Sequence, residues 1–270
     1  MRPLHTLERE AARSLRGIVF DLDDTFLDHG RLTEEAYASL FRLREAGLLL
    51  VACTGRPAGW VDLMMRQWPL DAGVAENGAL RFARRGAEVV RIDSVSPDVR
   101  KARRERLSRV ADALHEELPG LTRTDDDWAR VSDVTFDIGE HVKVPAADVD
   151  RLVKKSFHLG TRSFVSSIHF HITLDAADKA SGGIAACAAL LSSSGGGADP
   201  TVARSRFAFI GDSGNDAAAF AGFDLTFGVA NVAPFVPRLS IPPRFVASKE
   251  RGAGFREIAD KLLELRRSGP

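Results

Sequence analysis

The chain has 270 residues, 44% of them hydrophobic, and its 37 basic and 37 acidic residues give a formal net charge of zero. This length and composition are typical of a globular protein with one large domain or two smaller ones, and the balanced charge argues against a dedicated nucleic-acid binder. No segment is apolar over the length needed to span a bilayer, and the charged N-terminus lacks the apolar core of a signal peptide. Cys53 and Cys187 lie in apolar segments without metal or redox spacing, which predicts reduced thiols. We therefore expect a cytoplasmic protein without membrane or nucleic-acid partners.

The first predicted strand, residues 17–20, runs directly into the sequence Asp21-Leu22-Asp23-Asp24-Thr25. Side chains two positions apart on a strand point to the same side, so Asp21 and Asp23 can face one crevice. Two close carboxylates repel each other unless a cation neutralises them. The pattern therefore predicts a metal site or a reactive site. In the alternative interpretation, Asp23 or Asp24 caps a turn by accepting bonds from backbone N–H groups.

A βαβ unit follows the first strand. Thr33-Glu34-Glu35 is typical of a capped helix start, apolar residues recur after it at helical spacing, and Gly47 predicts the helix end. The apolar run 48–53 follows at once and predicts a second strand, parallel to the first. It ends in Thr54-Gly55-Arg56-Pro57, and Pro57 suits the first turn of another helix.

The middle of the chain has a different pattern, in which pairs of short strands accompany single helices. We predict strands near 80–82, 88–92, 131–138 and 164–172, an amphipathic helix through 107–118 and another helix at 148–158. This arrangement is typical of an α+β module with an antiparallel sheet. We therefore predict a domain inserted into the parallel sheet.

The alternation of strands and helices returns at Lys179. The elements predicted after it are an Ala-rich helix, a strand at 206–211, a second Ala-rich helix, strands near 225–229 and 245–247, and a last helix at 254–266. The glycine run 195–197 lacks the spacing of a phosphate-binding loop, so we expect it to be a connector.

Three of the predicted strands end in polar, loop-forming residues, and the third of them runs into Gly211-Asp212-Ser213-Gly214-Asn215-Asp216. Ligands bind at the carboxyl edge of open parallel sheets, so the three endings together predict one site. A calcium loop starting at Asp212 is excluded, because the EF-hand pattern requires Gly and Glu where this chain has Ala217 and Phe223.

The residue types at these strand ends suit phosphoryl transfer. Asp21 is a plausible nucleophile that would form an aspartyl-phosphate. Mg²⁺ suits the site because it binds few carboxylates and accepts a phosphate oxygen, and Asp21, Asp23 and Asp212 are the carboxylates best placed for it. The reaction also needs an acid for the leaving oxygen and a base for water, and Asp23 is the natural candidate.

Two further residues could bind a phosphoryl group. Thr54 and the turn after it offer a hydroxyl and N–H groups at a helix start. The alternative is that Thr54 only caps the helix. Lys179 opens a helix among small residues and could neutralise phosphate, whereas the alternative is a solvated surface charge.

The sequences DLDDT at 21–25, TGR at 54–56 and GDSGND at 211–216, with Lys179 before the last of them, resemble in this order the haloacid dehalogenase superfamily of phosphatases and phosphotransferases. The interval between the first two motifs is too short to hold a cap domain. The long interval between Thr54 and Lys179 is similar to that of the type IIB, Cof-like branch, which includes sugar-phosphate phosphatases.

The resemblance implies an α/β fold: a Rossmann-like, doubly wound parallel sheet core formed by residues 1–80 and 178–270, with an inserted α+β cap domain at 81–177 that sets substrate specificity. It implies that Asp21 is the nucleophile and Asp23 the general acid and base. The metal-site residues that it implies are Asp21, Asp23 through its main-chain carbonyl, Asp212 and Asp216. The phosphate-site and substrate-site residues that it implies are Thr54, Gly55, Arg56, Lys179 and Asn215.

The resulting expectation is a Mg²⁺-dependent phosphatase that hydrolyses a small phosphomonoester, a sugar phosphate, through an aspartyl-phosphate. Its partner is then a phosphorylated small molecule, and the protein a monomer or a homodimer. Two alternatives stay open. A phosphomutase, similar to phosphomannomutase, would return the phosphoryl group to another hydroxyl of the substrate. A catalytically silent module would bind its ligand without turnover.

The candidates for substrate contact in the cap are His169, His171, Trp128 and Arg123. His169 and His171 lie on one face of a predicted strand, and the alternative for them is an ordinary partly exposed position. Trp128 and Arg123 could stack on or bind a polar substrate, and the alternative is a packing role. The basic residues between Arg100 and Arg106 are expected to form a solvated helix face.

Overall fold

The computed structural model describes residues 1–193 and 199–267, so the glycine run predicted as a connector lies outside the described residues. The strands are β1 Arg2–Pro3, β2 Gly17–Phe20, β3 Leu49–Cys53, β4 Ala72–Ala75, β5 Leu80–Arg85, β6 Glu88–Asp93, β7 Thr122–Arg123, β8 Asp133–Asp137, β9 Arg162–Val165, β10 His169–Thr173, β11 Phe207–Gly211, β12 Leu225–Gly228 and β13 Phe245–Val246. The α-helices are α1 Arg9–Ser14, α2 Glu34–Glu45, α3 Ala58–Gln67, α4 Pro97–Glu117, α5 Ala146–His158, α6 Lys179–Ser193, α7 Pro200–Arg206, α8 Ala217–Gly222 and α9 Arg251–Arg266. Short 3-10 helices are found at Leu4–Thr6, Glu76–Gly78, Asp127–Ala129, Gly214–Asp216 and Ala230–Arg238.

The described residues form two sheets. The larger, called the main sheet here, has the order β1-β13-β12-β11-β2-β3-β4-β5-β6, and the smaller, called the cap sheet, has the order β7-β8-β10-β9. In the main sheet β2 lies between β11 and β3 and pairs with both in parallel. The predicted α/β class with a parallel sheet is therefore confirmed.

Both faces of the main sheet are covered by helices. Ile18 and Phe20 of β2 pack in one apolar core with residues of α2, α3 and α9, whereas Val19 packs in a second core with residues of α6 and α8. All four residues of β2 are buried, as expected for a parallel strand with helices on both sides. Cys53 and Cys187 are buried free thiols, as predicted.

The helix α2 shows how the sequence sets these elements. The Thr33 hydroxyl accepts a bond from the Ala36 N–H at the helix start, and Leu40 and Leu43 lie on the buried face. Gly47, just beyond the helix, has a φ of +78°, a left-handed conformation that costs glycine little. The chain then enters β3 directly, which gives the predicted βαβ unit.

The structure differs from the prediction at the start of the inserted segment. The strands β5 and β6 belong to the main sheet, because β5 pairs antiparallel with β4 and β6 pairs with β5. The chain reverses tightly at Glu76–Gly78, so β5 fills the free edge of β4. Residue 81 is therefore not where the chain leaves the main sheet; this happens after Asp93. We call the residues between β6 and α6 the cap segment.

The cap sheet is antiparallel, and α4 and α5 pack with it around a separate apolar core. The predicted single strand 164–172 is wrong, since β9 and β10 are two strands joined by a turn. Ser166 makes this turn, because its hydroxyl accepts bonds from the N–H groups of Ile168 and His169. Phe170 and Ile172 of β10 enter the apolar core, so the alternating residues His169 and His171 point to the opposite face.

The predicted solvated basic face on α4 is also wrong in part. Arg100 is buried and donates to Asp93, at the end of β6, and to Asp175, just before α6. Arg103 donates to Asp175 as well, at 2.6 Å. These ion pairs link the two places, after β6 and before α6, where the chain passes between the main sheet and the cap segment.

No helix in the described part of the chain has both the length and the apolar character needed to cross a membrane.

Candidate active site

The carboxyl ends of β2, β3 and β11 meet at one edge of the main sheet, as the order of the strands requires. Asp21 follows β2, and its N–H donates to the carbonyl of Ile210 in β11 at 2.9 Å. Thr54 follows β3, and Asp212 follows β11. All three side chains are buried. Because β11, β2 and β3 are parallel neighbours, the polar residues predicted at three separate places in the sequence lie at one edge of the sheet.

Lys179 lies at the start of α6 and is fully buried. Its Nζ is 2.7 Å from Asp21 Oδ1 and 2.7 Å from Asp216 Oδ1. The alternative that Lys179 is a solvated charge is therefore wrong. The attraction of the two carboxylates raises the pKa of the ammonium above its usual range, against the effect of burial, so Lys179 stays charged.

The 211–216 turn holds Asp216 rigidly. The second oxygen of Asp216 accepts bonds from the N–H groups of Asp212 and Ser213, at 2.8 and 3.1 Å. Gly211 is required here, because a Cβ at this position would come 2.4 Å from Asp216 Oδ2. Asn215 is also buried, and its Nδ2 donates to Asn77 Oδ1 at 3.2 Å. The turn therefore fixes the positions of Asp212 and Asp216 relative to each other.

Asp212 is fixed from the opposite side. Its carboxylate accepts bonds from the Thr25 hydroxyl, at 3.1 Å, and from Asn231 Nδ2, at 3.0 Å. The same Asn231 amide donates to the carbonyl of Asp24, which lies at a φ of +54°. The Asp24 side chain pairs with Arg251. It therefore does not point towards Asp21, Asp212 and Asp216.

Within the described residues, Asp21, Asp212 and Asp216 form a group whose carboxylate oxygens lie within 4.8 Å of one another. Burial raises the pKa of Asp21 to about 8, an effect that Lys179 opposes and Asp216 reinforces. Burial raises the pKa of Asp212 as well. Three buried carboxylates beside one ammonium leave excess negative charge, which fits a divalent cation bound through oxygen ligands. The Asp23 side chain is not a member of this group.

Asp23 instead faces Arg56. Arg56 Nε and Nη2 donate to both Asp23 oxygens at 2.9–3.1 Å. The same guanidinium donates to Glu140 of the cap segment at 2.9 Å and lies 3.5 Å from Asp126. Arg56 was predicted as a phosphate or substrate ligand, but in the structure carboxylates surround it. The two parallel bonds to Asp23 match the planar fork of the guanidinium.

The sequence allows Thr54 to be either a phosphate ligand or a helix cap. The helix-cap alternative is wrong, because the first N–H of α3, that of Ala58, donates to Glu76 Oε1 at 3.0 Å. The Thr54 hydroxyl accepts instead from the Arg56 N–H at 3.0 Å. Gly55 lies against the cap segment, since a Cβ there would be 3.1 Å from His171 Nε2. A side chain at Gly55 would therefore push the cap segment away.

Glu76 has a structural role that the sequence did not reveal. Beyond Ala58 it accepts bonds from the N–H groups of Val131, Ser132 and Asp133 in the cap segment. Its carboxylate is buried, which raises its pKa, and its φ of +51° is unusual for a residue with a side chain. Nothing in the sequence around Glu76 indicated a contact with residues 131–133.

The four cap candidates divide into two pairs. His169 and His171 are buried and face the main sheet: His169 Nε2 lies 2.7 Å from Glu140 Oε2, and His171 Nδ1 is 2.8 Å from the Thr135 hydroxyl. The partly exposed alternative is therefore wrong for both. Trp128 is 87% exposed, and Arg123 pairs with Asp127 and Asp112 in half-exposed contacts. The structure therefore brings His169 and His171, and not Arg123, into the groups that surround Arg56 and Gly55.

Comparison with known proteins identifies similar sequences and folds. Residues 18–102 match the family model described as haloacid dehalogenase-like hydrolase. The predicted resemblance to the haloacid dehalogenase superfamily is confirmed. No curated protein matches the chain.

Several solved structures share the fold over nearly the whole chain. A Thermoplasma acidophilum protein is 19% identical, with a TM-score of 0.69, and the match covers 93% of this chain and 99% of that one. The sucrose-phosphatase from Synechocystis sp. PCC6803, solved with sucrose and phosphate, is 16% identical with a TM-score of 0.62 over 93% and 98% of the chains. A sugar phosphatase of haloacid dehalogenase subclass IIB is 15% identical with a TM-score of 0.62 over 92% and 98%. At these identities the likeness shows the fold.

Proposed function

We propose that this protein is a Mg²⁺-dependent phosphatase that hydrolyses a small phosphomonoester, a sugar phosphate, through an aspartyl-phosphate on Asp21. The observation that carries the proposal is the buried contact between Lys179 and Asp21 at the carboxyl edge of β2, beside Asp212 and Asp216. Such a cluster combines a carboxylate nucleophile, a fixed cation and ligands for a metal. The sugar part of the proposal is supported by the two sugar phosphatases that share the fold.

In this mechanism an Asp21 oxygen attacks phosphorus, so that the new oxygen–phosphorus bond forms as the bond to the sugar oxygen breaks. Asp23 gives a proton to the departing sugar oxygen. Asp23 then takes a proton from water, which attacks the aspartyl-phosphate and releases phosphate and free Asp21. Lys179 is already charged beside Asp21 and would neutralise the phosphoryl oxygens, together with the Thr54 hydroxyl and the N–H groups of its turn.

The metal would be held by Asp21, the main-chain carbonyl of Asp23 and Asp212, with Asp216 in its surroundings. When bound, Mg²⁺ would stabilise negative charge on the phosphoryl oxygens. Asp216 contributes by holding Lys179 and the backbone of Asp212 and Ser213 in place. The cap segment would cover the phosphoryl site and supply the contacts to the sugar, with His171 at its inner face.

The test is a phosphate-release panel that contains sugar phosphates, other small phosphomonoesters and p-nitrophenyl phosphate, measured with Mg²⁺ and with EDTA. We expect release that requires Mg²⁺ and is fastest with one or a few sugar phosphates. The absence of release from every compound would contradict the proposal. A rearranged sugar phosphate formed without matching phosphate release would instead indicate a phosphomutase, and tight binding without turnover would indicate a silent module.

A further inference from the structure

A continuous set of hydrogen-bonded polar side chains connects the cap segment to Asp23. His169 Nε2 lies 2.7 Å from Glu140 Oε2, and Glu140 Oε1 accepts from Arg56 Nη2 at 2.9 Å. Arg56 in turn donates to both oxygens of Asp23. We call these four residues the cap-to-core relay. Its first two members lie in the cap segment and its last two at the edge of the main sheet.

The backbone of Glu140 lies in a turn that the side chain of Asp137 stabilises. The carboxylate of the buried Asp137 accepts bonds from four successive backbone N–H groups, those of residues 139–142. This fixes the backbone at Glu140, and His169 and Arg56 then hold one carboxylate oxygen each. The hydrogen bond from His169, followed by the charge of Arg56, lowers the pKa of Glu140 to about 2 against the effect of burial. Glu140 is therefore a fixed anion at neutral pH.

Arg56 depends on the cap segment for its position. Its guanidinium is 3% exposed and lies over the Trp60 ring, with 4.5 Å from Cζ to the ring centre. Asp23 occupies one edge of the guanidinium, and Glu140 and Asp126, both from the cap segment, occupy the rest. Because the donors of a guanidinium form a rigid fork, a shift of the partners on one edge moves the bonds on the other.

We infer that Glu140 is a positioning residue: it holds Arg56 and, through Arg56, orients the Asp23 carboxylate for proton transfer when the cap segment covers the site. This inference rests on the proposed function, in which Asp23 is the acid and base. It explains why a carboxylate of the cap segment reaches into the core towards an arginine instead of facing solvent. It also makes proton transfer depend on closure of the cap segment.

The experiment compares Glu140→Gln, Asp23→Asn and the double variant with the wild-type protein, using phenyl phosphate and p-nitrophenyl phosphate in the presence of Mg²⁺. Single-turnover release of the phenol isolates the step that needs the proton. Phenol is the poorer leaving group and needs protonation more than p-nitrophenol does. The matched control is Glu117→Gln, which breaks an exposed ion pair with Lys155 elsewhere in the cap segment.

We expect Glu140→Gln to slow release from phenyl phosphate about tenfold, because a small misplacement of a catalytic group is costly. Release from p-nitrophenyl phosphate should fall about threefold or less, and KM should stay unchanged for both. In the Asp23→Asn background, Glu140→Gln should have no further effect. The control Glu117→Gln should match the wild type.

Equal slowing of both substrates, an effect confined to KM, or a full effect of Glu140→Gln in the Asp23→Asn background would each overturn the inference. If the wild-type protein releases neither phenol, the relay is decided by urea denaturation, whereas the proposed function fails only when the phosphate-release panel also shows no release from any compound. Glu140 and Asp23 both bond to Arg56, so their substitutions should shift the unfolding midpoint non-additively. Additive shifts of the unfolding midpoint would contradict the coupling between Glu140 and Asp23, whatever the activity of the protein.

Discussion

The site contains two clusters in which one buried cation meets several carboxylates, and they are built differently. In the first, Lys179 contacts Asp21 and Asp216 with Asp212 nearby, and all of these residues come from elements of the main sheet and its helices. In the second, Arg56 joins Asp23 of the main sheet to Glu140 and Asp126 of the cap segment. The Lys179 cluster thus lies within the main sheet and its helices, whereas the Arg56 cluster connects the main sheet to the cap segment.

The carboxylates of the two clusters respond in opposite ways. Burial raises the pKa of Asp21 to about 8, whereas hydrogen bonding to His169 and the charge of Arg56 lower the pKa of Glu140 to about 2. The Lys179 cluster has too little positive charge for its carboxylates and is suited to take up a further cation. In the Arg56 cluster each carboxylate contacts a side-chain donor of the protein, since Asp23 and Glu140 accept from Arg56 and Asp126 pairs with Arg130 as well. These contacts join two parts of the molecule.

The substitution Lys179→Met should have the largest effect, because it removes the cation on which the first cluster depends. We expect turnover of every phosphomonoester to fall by at least about a thousandfold. Without metal, the free energy of unfolding should fall by about 3 kcal/mol, since two buried carboxylates lose their partner. Steady-state kinetics and urea denaturation in EDTA measure these effects. Lys101→Met, at an exposed position of α4, is the control, and near-normal turnover in Lys179→Met would contradict the role of the cluster.

Asp21→Asn tests the same cluster from the side of the nucleophile. Turnover should fall by at least about a thousandfold on all substrates, while the protein stays folded. Because its pKa is raised in the folded protein, Asp21 contributes to the stability of the metal-free protein in its protonated form. This contribution is fully present below the ordinary pKa near 3.8 and is lost as the pH rises through about 8. Urea denaturation in EDTA between pH 5 and pH 8.5 should therefore show a weaker pH dependence in Asp21→Asn than in the wild type. Undiminished activity would refute the covalent mechanism.

The difference between the clusters also explains which parts could be predicted from the sequence. The residues of the Lys179 cluster follow strands or begin a helix, and parallel strands bring such positions to one edge. The three strand ends therefore predicted Asp21, Thr54 and Asp212 at one edge, whereas Lys179 was predicted there through the family resemblance. In the structure the first three follow neighbouring strands of the main sheet, and Lys179 contacts Asp21. The periodicity of α2 and the end of that helix at Gly47 were equally local, and the structure agrees with both.

The Arg56 cluster could not be predicted in the same way. Glu140 is a single acidic residue in a loop with no periodic neighbours, and its partner Arg56 lies 84 positions earlier in the chain. The same reason applies to Glu76, whose partners are backbone groups of residues 131–133, and to Arg100, whose ion pairs link the two places where the chain passes between the main sheet and the cap segment. The place of β5 in the main sheet was missed because strand pattern alone does not identify the neighbouring strand.

The smallest expected effect concerns the stability that Glu140 gives to the Arg56 cluster. The lowered pKa of Glu140 means that its contribution is fully present above the ordinary pKa near 4.5 and is lost as the pH falls towards about 2. Glu140→Gln should therefore lower the free energy of unfolding at pH 7 by on the order of 2 kcal/mol, allowing for the partial exposure of the side chain. The difference from the wild type should shrink steadily between pH 5 and pH 2.5 in urea denaturation. Glu117→Gln, whose ion pair is exposed, should change stability little at any pH. If the free energy of unfolding of Glu140→Gln stays equally far below that of the wild type at low pH, packing and not the charge of Glu140 accounts for its contribution.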